Sequence, residues 1–192
     1  NVAVKGSIEK FTCRKNHLLG LKRKVNIPAL VQGLKEMGLQ VIVDPMHGSA
    51  SGCMKELLGA GSNDFLTEIR TRRDPLFGGT SPEPLERNLD EIISILRDSS
   101  QRDVPSIGLV FDGDGDRIAA IDEKGRFCSA QLLLPLFIEH LAGVVKLPGC
   151  VVKTVSGSDC ISAIAEKFGR EVIERPVGFK YIAHEMLHKE VL

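Results

Sequence analysis

Two short apolar runs, residues 39–43 and 107–111, constrain the fold of this chain more than any other feature of its sequence. Both are rich in Val, Ile and Leu, as buried strands are, and each is followed directly by an aspartate, Asp44 or Asp112. A stretch with helical spacing precedes each run, and this alternation predicts an α/β fold with helices on both faces of a sheet. Functional loops in such folds follow the carboxyl ends of strands, so both aspartates stand where a site is expected.

The rest of the pattern predicts further elements and a domain boundary. Helices are predicted over residues 26–37, 51–60, 84–98, 132–145, 160–168 and 180–188. Besides the two apolar runs, strands are predicted over residues 118–122, 125–127 and 150–155. We therefore predict a three-layer α/β/α domain with a mixed sheet over residues 1–128. Residues 129–192 are predicted to be the truncated start of a second, similar domain.

The sharpest chemical feature is the acidic segment that follows the second apolar run. Asp112, Asp114 and Asp116 alternate with two glycines, whose backbone freedom allows the three carboxylates to converge. Converging carboxylates repel one another, and an all-oxygen ligand set favours Mg²⁺, Ca²⁺ or Mn²⁺ over zinc. Arg117 comes next and has the geometry to hold a phosphate bidentately. A cation beside an arginine is suited to phosphoryl transfer.

Three other interpretations of the acidic segment are open at this point. Asp-Gly pairs also favour simple hairpin turns. A calcium EF-hand would use the same aspartates together with Glu123, but it requires glycine where Arg117 stands and helices where strands are predicted. A phosphoaspartyl phosphatase would place a hydroxyl residue where Gly115 stands.

Several segments together resemble the α-D-phosphohexomutase family. They are residues 112–117 (DGDGDR), 43–48 (VDPMHG), 74–79 (DPLFGG), 82–84 (PEP), 88–89 (NL) and 176–180 (PVGFK), and they occur in the family's order. The resemblance covers about residues 18–187. It implies the second domain and part of the third domain of a four-domain enzyme.

The resemblance also implies roles for individual residues. Asp112, Asp114 and Asp116 would bind Mg²⁺, and Arg117 would act at the phosphoryl group as a catalytic and substrate-binding residue. Gly178 and Lys180 would contact the sugar phosphate, although Val177 stands where many members have Thr. Family members transfer a phosphoryl group from a phosphoserine to a hexose phosphate through a bisphosphate intermediate.

The substrate implied is a hexose phosphate. Glucose phosphate is preferred on general expectation alone, and mannose phosphate is the alternative. The segment 178–180 is less similar to phosphoglucosamine mutases, in which an Asp-Arg pair is usual. The serine, sugar and fourth-domain phosphate loops of the family have no counterpart here. The remaining domains of the same enzyme are therefore expected partners, and this chain alone is expected to be inactive, a module that holds the metal.

Two histidine-containing features need separate interpretation. The segment 184–188 (HEMLH) matches the H-E-x-x-H pattern of zinc metalloproteases, which is the more remote alternative function. The mutase interpretation makes it an ordinary surface helix. His47, at the end of the first apolar run, is predicted to brace neighbouring loops rather than to contact substrate.

Composition bounds the remaining function classes. Lys+Arg and Asp+Glu are 25 each, so neither nucleic acid nor a membrane surface is expected as a partner. Seven basic side chains against one acid in residues 1–24 are interpreted as a solvated surface that could face phosphate. The five scattered cysteines and the absence of a signal pattern or a long apolar run predict a cytoplasmic location. The first residue is Asn1 rather than Met, which predicts an internal piece of a longer protein.

Overall fold

The computed structural model describes residues 6–192, which form two compact units, one ending at Phe127 and the other starting at Cys128. The first unit contains α1 (Arg14–Lys24), α2 (Ile27–Glu36), β1 (Gln40–Asp44), α3 (Cys53–Leu58), β2 (Leu66–Glu68), α4 (Asp90–Gln101), β3 (Ser106–Phe111) and β4 (Ile118–Ile121). The second contains α5 (Ala130–Ile138), β6 (Val151–Thr154), α6 (Asp159–Lys167), β7 (Val172–Arg175) and α7 (Phe179–His188). The short strand β5 (Phe127–Cys128) lies at the division.

The sheet of the first unit is mixed, as predicted. Its strand order is β2-β1-β3-β4-β5, with β1 parallel to both β2 and β3, and β4 antiparallel to β3. Because β1 and β3 are adjacent and parallel, Asp44 at the end of β1 pairs in register with Val110, two residues before Asp112. The segments that follow both strands therefore leave the same edge of the sheet.

Side chains that alternate along β1 bury both faces of this sheet. Ile42 packs with α4 residues, including Ile92 and Leu96, in one cluster. Val41 and Val43 point to the opposite face, where they pack with residues of α2 and α3. The α/β/α layering that the sequence predicted is confirmed.

The second unit has a parallel pair of strands, β6 and β7, and Val191 forms a further isolated bridge to Cys150. Its core contains Ile138, Val151, Ile161 and Ala165. The predicted helix over 132–145 is α5 followed by a π-helical turn over Glu139–Val144. Among residues 6–192, no helix combines the length and the apolar character that crossing a bilayer requires.

Several element predictions were wrong in extent. The helix predicted over 51–60 is confined to Cys53–Leu58, because Gly52 and Gly59 on either side adopt positive φ angles. The helix predicted from residue 84 begins at Asp90, after a 3₁₀ turn over Glu86–Asn88. The pattern missed α1, β2 and β7 altogether.

Candidate metal centre

The loop between β3 and β4 brings three carboxylates together. Asp112, Asp114 and Asp116 each offer an oxygen, and these oxygens lie within 4.8 Å of one another. Asp112 is fully buried, whereas the other two are exposed. Gly115 has φ +81°, a backbone conformation that lets the loop turn back between its neighbours. The three residues predicted as metal ligands therefore converge at one point that solvent can reach.

Asp112 anchors the loop through its own side chain. One carboxylate oxygen accepts hydrogen bonds from the N–H groups of Gly115 and Arg117, each at 3.0 Å, and the other accepts from Arg117 Nε at 2.7 Å. Burial by itself would raise the pKa of Asp112, but the hydrogen bonds from Arg117 outweigh it and lower the pKa to about 2. Asp112 is therefore ionised throughout the physiological range.

The charge of the exposed pair of aspartates is only partly compensated, because Arg117, which lies near Asp116, also pairs with Asp112. The charge of Asp114 is the main reason that the pKa of Asp116 is raised above its usual value. A divalent cation removes this repulsion, and hard oxygen donors with open water positions suit Mg²⁺. The residues present therefore fit such an ion.

Arg117 contacts three carboxylates in and around the acidic loop. Its Nε bonds to Asp112 and lies 3.6 Å from Asp116 Oδ1, while Nη1 is 3.9 Å from Glu83 Oε1. The side chain is nevertheless 60% exposed. The sequence predicted a phosphate contact for this residue and did not reveal its bond to Asp112.

The segment that follows β1 packs directly against the acidic loop. A Cβ added to Gly48 would lie 2.5 Å from the Gly113 carbonyl oxygen, so only glycine permits this approach. The Ser49 N–H donates to the same oxygen at 3.0 Å, and the Ser49 hydroxyl donates to the Asp114 carbonyl at 2.6 Å. Gly113 N–H in turn donates to Pro82 O. Two of the segments that resemble the family, residues 43–48 and 82–84, therefore pack against the acidic loop.

Asp44 is buried outside the carboxylate cluster. Its carboxylate accepts hydrogen bonds from Arg70 Nε at 2.9 Å and from Arg70 Nη2, as well as from the Met46 N–H. Asp44, the other strand-end aspartate that the sequence singled out, therefore fixes the position of the loop that contains Arg70. His47 braces that loop, as predicted, because its Nδ1 lies 2.7 Å from Arg72 O.

The residues predicted to contact the sugar phosphate lie in the second unit. Gly178, with φ +137°, immediately precedes α7, and Lys180 is exposed in its first turn. The Lys180 ammonium is 4.9 Å from the centre of the Tyr181 ring. Both residues lie at the segment that the family resemblance singled out.

The H-E-x-x-H segment on α7 does not form a protease site. Glu185, which would have to activate a metal-bound water, is buried and paired with Arg175 at 2.8 Å from Nε and 2.7 Å from Nη2. The hydrogen bond from Arg175 lowers the pKa of Glu185. His188 directs Nδ1 to the backbone oxygen of His184. Within residues 6–192, the acidic loop is the only group of three or more His, Cys, Asp or Glu residues placed to share a cation.

The EF-hand alternative is also excluded by the flanking structure. Strands β3 and β4 flank the acidic loop, and Glu123 lies beyond β4 in the turn toward β5. An EF-hand requires helices on both sides of its loop.

Comparison with known proteins shows consistent similarity along most of the chain. Residues 16–125 match the family model of phosphoglucomutase/phosphomannomutase α/β/α domain II, and residues 130–192 match that of domain III. A phosphoglucosamine mutase of Methanococcus maripaludis (strain C5) is 30% identical over 93% of this chain and 38% of its own length. One of Methanococcus vannielii is 33% identical over 76% of this chain and 32% of its own. The chain thus spans about a third of these curated relatives.

Solved structures agree with this match. A structure from Thermus thermophilus, described as that of a phosphomannomutase, superimposes with a TM-score of 0.80 at 28% identity and covers 96% of this chain and 41% of that protein. The phosphoglucomutase parafusin of Paramecium superimposes with a TM-score of 0.75 at 21% identity, over 90% of this chain and 31% of that one, which shows a shared fold.

Proposed function

The chain belongs to the phosphoglucomutase/phosphomannomutase family of α-D-phosphohexomutases, and on this premise we propose that the full-length protein is a phosphoglucomutase. It would interconvert glucose 1-phosphate and glucose 6-phosphate through a bisphosphate. The observation that carries the proposal is the convergence of three aspartates within 4.8 Å beside an arginine. The two units would be the second domain and part of the third.

The residues of the acidic loop would have distinct tasks. Asp112, Asp114 and Asp116 would hold Mg²⁺, which when bound supplies positive charge that stabilises a transferring phosphoryl group. Asp112 orients Arg117, whose exposed guanidinium would hold phosphate oxygens. In the second unit, Gly178 would contact the sugar phosphate and Lys180 would pair with its charge. The phosphoserine would come from outside this chain.

Glucosamine phosphate is a second candidate substrate, because the curated relatives described above are named phosphoglucosamine mutases. Glucose is preferred because Gly178, Phe179 and Lys180 stand where the resemblance leads us to expect an Asp-Arg pair in glucosamine enzymes. Mannose phosphate is the other alternative. The ratio of kcat/KM values for the three sugar 1-phosphates decides between them.

The proposal also covers the partners of the enzyme and its location in the cell. The partners would be the hexose phosphate and the remaining domains of the same protein, with neither nucleic acid nor membrane involved. A cytoplasmic location is supported by the sequence, whose five scattered cysteines are typical of a protein from a reducing compartment.

The test is mutase activity of the full-length protein, wild type against Asp114→Ala, with Mg²⁺ present. We expect turnover to fall by about 100-fold or more, because charge stabilisation by a metal contributes several kcal/mol. Asp98→Ala, which removes an exposed aspartate from α4, is the matched control and should leave turnover unchanged. Full activity of Asp114→Ala, with both variants folded by circular dichroism, would contradict the proposal.

A further inference from the structure

Asp112 and Asp114 are held in position by different means. The Asp112 carboxylate accepts three hydrogen bonds within its own loop. Among residues 6–192, no group donates a hydrogen bond to the Asp114 carboxylate, which is exposed and close to the charge of Asp116. The position of Asp114 therefore depends on how its backbone is held.

Ser49 is the residue that holds that backbone. Its hydroxyl donates to the Asp114 carbonyl at 2.6 Å, and its N–H donates to the preceding carbonyl, that of Gly113, at 3.0 Å. Two consecutive peptide groups of the acidic loop are thus bound to one residue that lies outside the loop.

Arg14 holds Ser49 from the other side. Arg14 is the first residue of α1, and its Nη2 donates to the carbonyls of Ser49 at 3.2 Å and Ser51 at 2.8 Å. Arg14, Ser49 and Asp114 line the same cavity, with a volume of ≈ 640 Å³, so they form a continuous wall from α1 to the acidic loop. The contacts span 35, 37 and 65 residues of sequence.

We propose that Arg14 and Ser49 are positioning residues that set the place of Asp114 and hence the affinity of the acidic loop for Mg²⁺. This inference rests on the proposed function, because it assigns Mg²⁺ to the loop. Neither residue belongs to the group of carboxylates that could hold the ion. Each acts through the backbone of the segment 49–51, in the way that outer residues orient the ligands of a metal.

Electrostatics and positioning predict opposite effects of removing Arg14. Loss of a positive charge near a cation site by itself strengthens binding of the cation. Loss of the two hydrogen bonds to the segment 49–51 loosens Asp114 and weakens binding. The sign of the change in Mg²⁺ affinity in Arg14→Gln therefore separates the two effects, and Ser49→Ala tests the same path without any change of charge.

The experiment is an NMR titration of the 192-residue chain with Mg²⁺. We expect the dissociation constant to rise by about tenfold in Arg14→Gln and in Ser49→Ala. The double variant should show less than the product of the two changes, because both act on one path. Lys22→Gln removes the same charge from an exposed position on the same helix and should leave the constant within about twofold.

A second readout needs no metal. The Gly115 amide donates to Asp112, so its hydrogen exchange reports the order of the loop. Exchange should be faster in Arg14→Gln and Ser49→Ala than in the wild type and Lys22→Gln. An unchanged or tighter Mg²⁺ constant in Arg14→Gln, or unchanged Gly115 exchange in both variants, would overturn the inference. Absence of Mg²⁺ binding by the wild type would instead count against the proposed function, with the exchange comparison still deciding the role of Arg14 and Ser49.

Discussion

Asp112 and Glu185 are both buried carboxylates that accept a hydrogen bond from an arginine Nε, at 2.7 Å and 2.8 Å, and both have a lowered pKa. Their surroundings differ. Asp112 has two further carboxylates within reach, so one arginine leaves negative charge uncompensated. The neighbours that act on Glu185 are cationic groups, including Arg175 and Lys189, and its charge is balanced.

This difference explains why only one of the two motifs is a credible metal site. The charge of a carboxylate paired with an arginine is balanced within the protein, whereas excess negative charge in a small volume favours binding of a cation. The acidic loop has that excess and an open face. The H-E-x-x-H segment has the right spacing, but the negative charge of Glu185 is already balanced by Arg175.

Among the variants that distinguish the acidic loop from the surroundings of Glu185, Gly48→Ala is expected to have the largest effect. It should disrupt the acidic loop and leave Glu185 unchanged. The new methyl group would overlap the Gly113 backbone, where a Cβ has 2.5 Å of space. We expect a loss of about 1–3 kcal/mol in the free energy of unfolding by urea, and a fall in Mg²⁺ affinity of at least about tenfold. Gly33→Ala is the control, since nothing lies within 4 Å of its Cβ on α2, and it should be neutral or stabilising. If Gly48→Ala and Gly33→Ala changed stability and Mg²⁺ affinity equally, the close contact between Gly48 and the Gly113 backbone would be contradicted.

The next effect is smaller and tests the excess of charge itself. Asp116→Asn keeps the shape of the side chain and removes one of the three charges. We expect Mg²⁺ affinity to fall by about tenfold, whereas the melting temperature of the metal-free chain should rise slightly because the repulsion from Asp114 is gone. Asp98→Asn should change neither quantity. If affinity and metal-free stability both fell, the carboxylate would be a structural partner rather than a surplus charge.

The sequence predicts the acidic loop well because its three aspartates lie within five consecutive residues. Asp112, Asp114 and Asp116 are brought together by local backbone geometry, which spacing and glycine placement reveal. The roles of Arg14 and Ser49 depend on contacts across 35 residues or more, and no local pattern indicates them.

The same distinction accounts for what the sequence did not reveal. Asp44 occupies the expected strand end, but its charge is taken by Arg70, 26 residues away. The strand β2 is only three residues long, and α1 buries only Leu18, so periodicity identifies neither of them. The layered fold was predictable because apolar runs alternate in order with stretches of helical spacing, whereas the elements that the pattern missed are determined by tertiary contacts.

The smallest expected effect is on stability and comes from the ion pair of Glu185 with Arg175. Because the hydrogen bond from Arg175 lowers the pKa of Glu185 below the usual 4.5, the pair adds stability that is fully present above that pH. This stability is lost as the pH falls through the lowered pKa. Melting temperatures of the wild type and Glu185→Gln should therefore differ by a few degrees near neutral pH and converge once the pH falls below the lowered pKa. Glu166→Gln, at an exposed position on α6, should show no such pH-dependent difference. If the difference in melting temperature between the wild type and Glu185→Gln stayed constant with pH, the packing of the Glu185 side chain, and not its charge, would be what stabilises α7.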